Sequence, residues 1–397
     1  MATHLNYDPN ISCGKHELEF LNIPNFECAT GYMMVTWNCQ TALEWRSEKC
    51  DLRATPRQYF NVNFTVQRFA VNFLIAHQLA CHMHVVVTGS SGFIGNALVP
   101  RLVSAGHSVT ALSRIGSQTG QFTGFENISK VLVSDLCDMS ETEFPACDAV
   151  IHLAGISHRK DTPHNSQYER VNYETTLHVA ELAAANGCEH FIFMSTAKVH
   201  AESTNEAIHS DSPYAPPDIY SETKARAEQA LFDLETTMKV TALRPPAVIG
   251  LPAKANFKHL MRLAKLPAPI PFPTPSNSRC FIGLENLCLA TIHCMEHIPK
   301  RSKGYLIHDQ SPISTAELVE CIAEAHGRLS RQFPLPRSLF QMGNRTIHTI
   351  AGKNLLAPFY ENFVIHCDQF DHEFDWRPLH TTKEQIRALF MTFSSTE

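Results

Sequence analysis

The sequence predicts an α/β fold, a doubly wound parallel sheet followed by a smaller C-terminal lobe. From Met83 onward, short apolar runs alternate with amphipathic helical segments, a glycine-rich turn follows the first run, and the alternation breaks at about residue 246. Such alternation implies right-handed crossovers and a parallel sheet covered on both faces. Strands are expected over six apolar runs, at 84–88, 108–113, 130–136, 148–153, 190–196 and 239–244.

Helix signals lie between these strands and continue after them. Residues 171–185 predict an amphipathic helix that carries Val171, Thr175, Val179 and Leu182 on one side, with Asn186-Gly187 as its stop. The proline-rich stretch from Pro267 to Pro275 favours extended loops. Two capping boxes then predict helices that begin at Ser314 and Thr381, each with a glutamate three residues later.

Composition divides the chain into three parts. Residues 1–82 contain scattered Cys, Asn, Trp and Phe without a sustained apolar period. We expect them to be a poorly ordered extension or to precede the true translation start, and a small helical domain using Phe60 to Ala80 is the alternative. Residues 83–246 are expected to form the sheet domain, and residues 247–397 mainly the C-terminal lobe.

The bulk composition excludes several classes of protein. The chain has 397 residues, of which 44% are hydrophobic and 18% charged, and its net charge of -6 gives no reason to expect nucleic acid or a membrane surface as partner. It contains neither an apolar run of 18 residues nor a secretion signal. The thirteen cysteines show no C-x-x-C pair, so we expect reduced thiols in a cytoplasmic protein and no metal site.

A glycine-rich turn is the most informative motif. Thr88-Gly89-Ser90-Ser91-Gly92-Phe93-Ile94-Gly95 directly follows the apolar run Val85-Val86-Val87. Three glycines at this spacing let a strand turn tightly into a helix, whose N-terminal N–H groups can then meet a pyrophosphate. Ordinary tight turns also use glycine, so the motif predicts a dinucleotide site only in combination with motifs later in the chain.

Tyr220 and Lys224 are the candidate proton-transfer pair. They lie four residues apart in a segment of good helix formers, so both project from one helix face. A nearby ammonium favours the phenolate, which should bring the pKa of Tyr220 down toward the working range of an acid or base. The tyrosine could then exchange a proton with a substrate oxygen while a nicotinamide transfers hydride.

Further polar residues stand at strand ends and helix starts. Ser195-Thr196 closes a buried strand, where a hydroxyl can bond the same substrate oxygen as Tyr220. Asn172 opens the helix that follows the loop after Gly155, and a plain helix cap is the alternative role. Asp135-Leu136 ends the third strand, where a carboxylate can meet an adenine amino group or serve as an ordinary turn residue.

This pattern resembles the extended short-chain dehydrogenase/reductase superfamily, and within it the NAD-dependent epimerase/dehydratase family, over essentially all of residues 83–397. His152-Leu153-Ala154-Gly155 and Arg244-Pro245-Pro246 also match in register. The resemblance implies an NAD(P)-binding Rossmann domain over 83–246, with Thr196, Tyr220 and Lys224 as catalytic residues. The coenzyme contacts that it implies are Gly89, Gly92, Phe93, Ile94, Gly95, Ser113, Arg114, Asp135, Leu136, Ala154, Gly155, Asn172, Ser195, Tyr220, Lys224 and Pro246.

The second half is similar to the nucleotide-sugar branch of that superfamily. The segments 243–257 and 277–287 resemble UDP-4-keto-6-deoxy-N-acetylhexosamine 4-reductases and related 4-epimerases of bacterial surface-polysaccharide pathways. By this resemblance Arg279 holds the diphosphate of a nucleotide-sugar substrate, and Asn256 contacts it or the nucleoside. One departure is His200-Ala201, where Tyr-Gly often follows the hydroxyl pair, and we expect His200 to be a loop residue. The resemblance also implies a homodimer.

The end of the second strand bears on the coenzyme and on the reaction. It reads Ala111-Leu112-Ser113-Arg114, whereas NAD enzymes usually place an acidic residue there. An arginine suits a 2′-phosphate, which favours NADP(H), although NAD(H) stays open. Exchange of NADPH at each turnover favours a 4-keto-sugar reductase over the alternative, a 4-epimerase with tightly bound NAD. A catalytically silent coenzyme-binding regulator is the alternative from another class.

Overall fold

The computed structural model describes residues 82–116, 122, 125–157, 165–253, 255–351, 354 and 356–391. The expectations for the N-terminal extension and for a helical domain between Phe60 and Ala80 lie outside these residues. Seven parallel strands form the main sheet, in the order β10-β6-β5-β4-β1-β2-β3. Its strands are β1 (His84–Thr88), β2 (Ser108–Arg114), β3 (Ile128–Val133), β4 (Ala149–His152), β5 (His190–Met194), β6 (Lys239–Arg244) and β10 (Lys303–Leu306).

Helices cover both faces of this sheet and build the C-terminal lobe. Within the described ranges, no helix is both long enough and apolar enough to cross a membrane. The helices are α1 (Phe93–Ser104), α2 (Asn165–Tyr168), α3 (Thr175–Ala185), α4 (Ile219–Phe232), α5 (Ala255–Ala264), α6 (Leu284–Glu296), α7 (Thr315–Ala325), α8 (Arg337–Ala351), α9 (Ala357–Tyr360), α10 (Asp368–Phe374) and α11 (Thr382–Met391).

The predicted doubly wound sheet is confirmed, and two apolar cores explain it. On one face, α1 and α6 pack on β1 and β4, and on the other face α3 and α4 pack on β4, β5 and β6. Val85, Val86 and Val87 are fully buried because β1 lies at the centre of the sheet with both faces covered. The carboxyl ends of β1, β4, β5 and β6 therefore meet at one edge.

The third strand differs from its predicted bounds of 130–136. It runs from Ile128 to Val133, and Asp135 and Leu136 lie beyond its end. The carboxylate of Asp135 accepts a hydrogen bond from the backbone N–H of Cys137 at 3.1 Å and so starts a short 3₁₀ turn, Leu136–Asp138. The strand thus ends at this side-chain cap, although the apolar residues of the sequence continue to Leu136.

The helix predicted over 171–185 also differs at its start. A π-helical segment, Glu169–Glu174, connects α2 to α3, so Asn172 lies inside continuous helix and is not a cap. Thr175, Val179 and Leu182 are buried as expected, and Gly187, with φ of 79°, follows the helix end. Wide turns of this kind occur often at functional sites.

The C-terminal lobe contains two small parallel ribbons and the two capped helices. The proline-rich stretch forms an edge strand, β8 (Ile270–Thr274), which pairs with β11 (Gln332–Pro336). The second ribbon pairs β7 (Ala247–Ile249) with β9 (Phe281–Gly283). Ser314 and Glu317 cap each other at the start of α7, and Thr381 and Glu384 do the same before α11, as predicted.

A buried carboxylate fastens the last described helix to the rest of the lobe. Asp309 is fully buried and accepts hydrogen bonds from Thr382 Oγ1 at 2.7 Å, Gln385 Nε2 at 3.0 Å and Asn286 Nδ2 at 2.7 Å. Gln385 also packs on Gly283, where a Cβ atom would lie 1.7 Å from its side-chain oxygen. Helix α11 is therefore held by buried hydrogen bonds and by a close contact with Gly283 that a larger residue at that position would not permit.

An ion pair lies buried at the sheet edge between β6 and α4. Arg244 Nε donates to Glu228 Oε2 at 2.9 Å, and their side chains are 3% and 0% exposed. Ser195 Oγ and Tyr214 Oη also donate to this carboxylate. A Cβ atom on Gly304 of β10 would lie 2.3 Å from Arg244 Nη2, so the guanidinium fills the space beside the glycine.

We expect Glu228→Gln to lower the free energy of unfolding by about 3 kcal/mol, because the change leaves the Arg244 charge buried without its counter-charge. Urea denaturation followed by circular dichroism measures the difference. The matched control is Glu169→Gln. Glu169 lies on the π-helical segment and forms an exposed ion pair at 2.7 Å with Arg226, which is on α4 like Glu228. Its replacement should lower the free energy of unfolding by less than about 0.5 kcal/mol. Equal losses in the two variants would contradict the prediction.

Candidate functional site

The glycine turn after β1 has the geometry of a phosphate cradle. Gly89 adopts φ of 65°, and a Cβ atom there would lie 2.7 Å from the backbone nitrogen of Ala154 at the end of β4. A Cβ atom on Gly95 would lie 2.5 Å from the carbonyl oxygen of Ser90. Helix, turn and neighbouring strand therefore approach each other more closely than any side chain allows, as the sequence predicts.

The N-terminus of α1 faces the same space. Gly92 is its N-cap and gives it no side-chain cap, and Phe93 and Ile94 form its first turn. The backbone N–H groups of a helix N-terminus and the positive end of the helix dipole favour a phosphate at this point. The residues present therefore fit the pyrophosphate of a dinucleotide.

Tyr220 and Thr196 meet at the sheet edge. Asp218 caps α4, which places Tyr220 in its first turn, and the half-buried phenol is hydrogen-bonded to the side chain of Thr196. Thr196 follows β5 and is 8% exposed, and its Oγ1 also accepts from the backbone N–H of Lys198 at 3.3 Å. The two hydroxyls predicted to share a substrate oxygen are thus adjacent.

Lys224 lies one helical turn further along the same face of α4. Its Nζ donates to the carbonyl oxygen of Met194 at 2.9 Å and lies 4.3 Å from the ring centre of Phe193. A Cβ atom on Gly155 would lie 3.4 Å from this nitrogen, so a glycine keeps the space beside it open. Burial lowers the pKa of Lys224 to about 7, against an opposing effect of Glu228.

The pKa of Tyr220 moves opposite to the sequence-based expectation. Burial and then the carboxylate of Asp218 raise it to about 12, and the hydrogen bond with Thr196 opposes the shift. The expected lowering by the Lys224 ammonium does not prevail, because burial disfavours the charge on that amine too. At neutral pH the phenol is protonated, which suits a proton donor.

Asn172 braces the loop that borders Lys224. It is fully buried, its Oδ1 accepts from the backbone N–H of Ile156 at 2.8 Å, and its Nδ2 donates to the carbonyl oxygen of Ile156 at 3.0 Å. Its Oδ1 also lies 3.2 Å from where a Cβ atom of Gly155 would be. The residue therefore fixes the backbone beside the amine of Lys224.

The Ser195 hydroxyl belongs to the buried ion pair, because it donates to Glu228 Oε1. Sequence reasoning missed Glu228 and Asp218, although a carboxylate four residues after Lys224 and an acidic residue before the helix were available signals. His152 is also buried, between Thr88 Oγ1 at 3.0 Å and Thr176 Oγ1 at 3.2 Å. Burial and the charge of Lys224 lower the pKa of His152 to about 3, so its ring is neutral.

The residues expected near the adenosine lie at the ends of β2 and β3. Ser113 Oγ is hydrogen-bonded to Ser90 Oγ at 2.8 Å, which ties the end of β2 to the glycine turn. Arg114 is exposed at the last position of β2. Asp135 forms an ion pair with Arg170 at 3.0 Å, and Leu136 is buried beside it.

The expected substrate residues lie in the C-terminal lobe. Arg279 Nη1 donates to the carbonyl oxygen of Glu361 at 3.0 Å, and its guanidinium lies 5.6 Å from the ring centre of Phe363. Burial lowers the pKa of Arg279. Asn256 is the second residue of α5, and its side chain lies outside the described atoms. Pro246 is buried just after β6.

We expect Lys224→Met to change how stability depends on pH. Because burial lowers the pKa of Lys224 to about 7, the unfolded chain binds more protons than the folded protein from about pH 7 to pH 10. In that window the lysine makes stability rise with pH by up to about 1.4 kcal/mol per unit. Urea denaturation of coenzyme-free protein should therefore show wild type gaining on the variant from pH 7 to 9.5, and parallel profiles would refute this.

Comparison with known proteins agrees with this geometry. Residues 85–301 match the model of the NAD dependent epimerase/dehydratase family. The chain is 27% identical over 321 residues to the UDP-glucose 4-epimerase of Vibrio cholerae, covering 78% of this chain and 95% of that protein. It is 26% identical to the 2-alkyl-3-oxoalkanoate reductase of Shewanella oneidensis, covering 62% and 66%.

Solved structures show the same fold. A UDP-N-acetylglucosamine 4-epimerase from Methanobrevibacter ruminantium M1, in complex with UDP-N-acetylmuramic acid, superposes with a TM-score of 0.64 at 21% identity, covering 80% of this chain and 99% of that one. MoeE5, in complex with UDP-glucose and NAD, gives 0.62 at 20% identity, covering 79% and 98%. The family match spans more than half of the sequence, and the chain belongs to the NAD dependent epimerase/dehydratase family.

Proposed function

We propose that this protein is an NAD(P)-dependent oxidoreductase that acts on a nucleotide sugar. The substrate that we favour is a UDP-4-keto-6-deoxy-N-acetylhexosamine, whose 4-keto group the enzyme would reduce. Such sugars are intermediates of surface-polysaccharide biosynthesis. The observation that carries the proposal is the Tyr220 hydroxyl bonded to Thr196, one helical turn from Lys224 and at the sheet edge that carries the glycine turn. The UDP-sugars in complex with two structural neighbours support the substrate class.

The chain's own residues supply the proton in this reaction. Tyr220, protonated at neutral pH, donates its proton to the ketone oxygen, and Thr196 bonds the same oxygen. A bound nicotinamide coenzyme supplies the hydride that the sugar C4 accepts. Lys224 would hold the nicotinamide ribose, and Asn172 keeps the loop beside Lys224 fixed. The ketone thereby becomes an alcohol.

Arg114 supports a reductase that uses NADPH. It stands at the end of β2, the position at which a carboxylate would repel a 2′-phosphate and a guanidinium would attract it. A reductase exchanges its coenzyme at every turnover, and NADPH is the reductant that such an arginine would select.

A 4-epimerase is the second candidate. The Vibrio cholerae relative named a UDP-glucose 4-epimerase is matched over 95% of its length, which favours this activity. An epimerase oxidises and re-reduces the same sugar, so it needs NAD that stays bound. A coenzyme-binding regulator, the candidate from another class, would have no use for the Tyr220–Thr196 contact.

We expect Tyr220→Phe to lower kcat by about 10²- to 10⁴-fold, because the proton donor is lost, while the coenzyme Kd stays within about twofold. Steady-state assays and fluorescence titration of coenzyme measure the two effects. Tyr173→Phe is the matched control, since that ring stacks on Arg226 at 4.5 Å, and it should keep activity. Full turnover in Tyr220→Phe would refute the proton-donor role, and coenzyme binding without turnover in wild type as well as in the variant would favour the regulator.

We expect Arg114→Ala to raise the Kd for NADPH about tenfold and to leave the Kd for NADH unchanged, because only NADPH carries the 2′-phosphate. Isothermal titration of both coenzymes with wild type and variant tests this. Parallel changes for NADPH and NADH would remove the support for NADP.

The deciding experiment is NADPH consumption against a panel of nucleotide 4-keto sugars, with the configuration at C4 of the product assigned by NMR. Stoichiometric reduction of a UDP-4-keto sugar supports the reductase. Purification with one equivalent of NAD, together with interconversion of UDP-sugars without added coenzyme, makes the protein an epimerase instead.

A further inference from the structure

The last turn of α6 carries a cluster of metal-binding side chains outside the candidate active site. His293, Glu296 and His297 each offer one ligand atom, and these atoms all lie within 4.8 Å of one another. His293 and Glu296 are three residues apart and lie on one face of α6, and His297 is the residue that caps the C-terminal end of this helix. The expectation of no metal site rested on cysteine spacing and did not consider these histidines.

The hydrogen bonds of the two rings leave one nitrogen of each ring available. His293 Nε2 is 2.6 Å from the carbonyl oxygen of Phe374, and His297 Nδ1 is 2.8 Å from the carbonyl oxygen of His293. A carbonyl oxygen only accepts, so both of these nitrogens carry the proton. The remaining lone pairs, on His293 Nδ1 and His297 Nε2, can then bind a cation, and backbone carbonyls hold ligating histidines in this way in known metal sites.

The carboxylate of the cluster is also held in place. His107 Nδ1 accepts from the backbone N–H of Met83 at 3.3 Å, so its Nε2 donates to Glu296 Oε1 at 3.0 Å. The negative end of the α6 dipole lies at the same point and favours a cation.

We propose that His293, Glu296 and His297 bind one divalent transition-metal cation of the Zn²⁺ class. Three atoms that lie within 4.8 Å of one another are at most about 2.8 Å from a common centre, and Zn–N bonds measure about 2.0–2.1 Å. The two imidazole rings are stacked, with their centres 4.3 Å apart, so rotations that move each ligand atom inward by up to about 0.7 Å and turn both rings toward a common point would complete the site. Two imidazoles and a carboxylate, with a position left for water, form a ligand set that Zn²⁺ commonly takes.

The site lies away from the glycine turn and Tyr220. His107 directly precedes β2, and His190 Nδ1, at the start of β5, is 3.5 Å from the carbonyl oxygen of Met295 in the same turn of α6. The cluster is therefore at the amino ends of the strands, whereas Thr196 and the glycine turn follow carboxyl ends. The cation would link α6 to its neighbours and take no part in hydride or proton transfer.

The test is Zn²⁺ titration by calorimetry, under reductant, of full-length protein that carries no histidine tag and has been treated with a chelator. Wild type should bind one more equivalent of Zn²⁺ than His297→Asn and Glu296→Gln, and Zn²⁺ should raise its melting temperature only when the cluster is intact. His348→Asn, an exposed histidine on α8, is the matched control and should keep the full stoichiometry.

Thiols also bind Zn²⁺, so the quantity to compare is the difference in Zn²⁺ stoichiometry between each variant and wild type. Circular dichroism checks that His297→Asn is folded. If it is not, Glu296→Gln is the second test, because it changes a partly exposed side chain and keeps an oxygen that can accept from His107. Identical isotherms for wild type and Glu296→Gln, or an equal loss in His348→Asn, overturn the proposal. Neither result bears on the reductase assay, since that assay contains no metal.

Discussion

The buried ion pair between Arg244 and Glu228 is the interaction on which the geometry of the candidate site depends. Glu228 lies one turn beyond Lys224 and two turns beyond Tyr220 on α4, and it is bound from the ends of β5 and β6 at once. A rotation of the helix would separate the carboxylate from these partners. Burying two charges is costly, and the neighbouring donors, including Tyr214, offset that cost because they satisfy the remaining lone pairs.

Burial at this edge of the sheet explains why the site holds little side-chain charge at neutral pH. Burial brings the pKa of Lys224 to about 7 and that of His152 to about 3, and it keeps the phenol of Tyr220 protonated. Any attraction for a pyrophosphate at the glycine turn would therefore come mainly from the backbone N–H groups at the start of α1. Backbone N–H groups cannot titrate, so this attraction does not change with pH.

Local signals were sufficient for some parts of the molecule and not for others. The glycine turn and the cap at Ser314 depend on residues a few positions apart, so the sequence alone predicts them. Arg279 bonds the carbonyl oxygen of Glu361, 82 residues later, and no sequence pattern indicates that pairing. The early end of β3 follows from the single cap at Asp135, and the pKa of Tyr220 follows from burial, which spacing does not measure.

Asp309 imposes an order on how the polypeptide acquires its structure during synthesis. Its carboxylate receives two of its bonds from Thr382 and Gln385, which leave the ribosome more than 70 residues after it. Until they emerge, closing the lobe around Asp309 would bury its carboxylate without two of its donors. The distal half can therefore complete its fold only after α11, the last helix that the structure describes, has emerged.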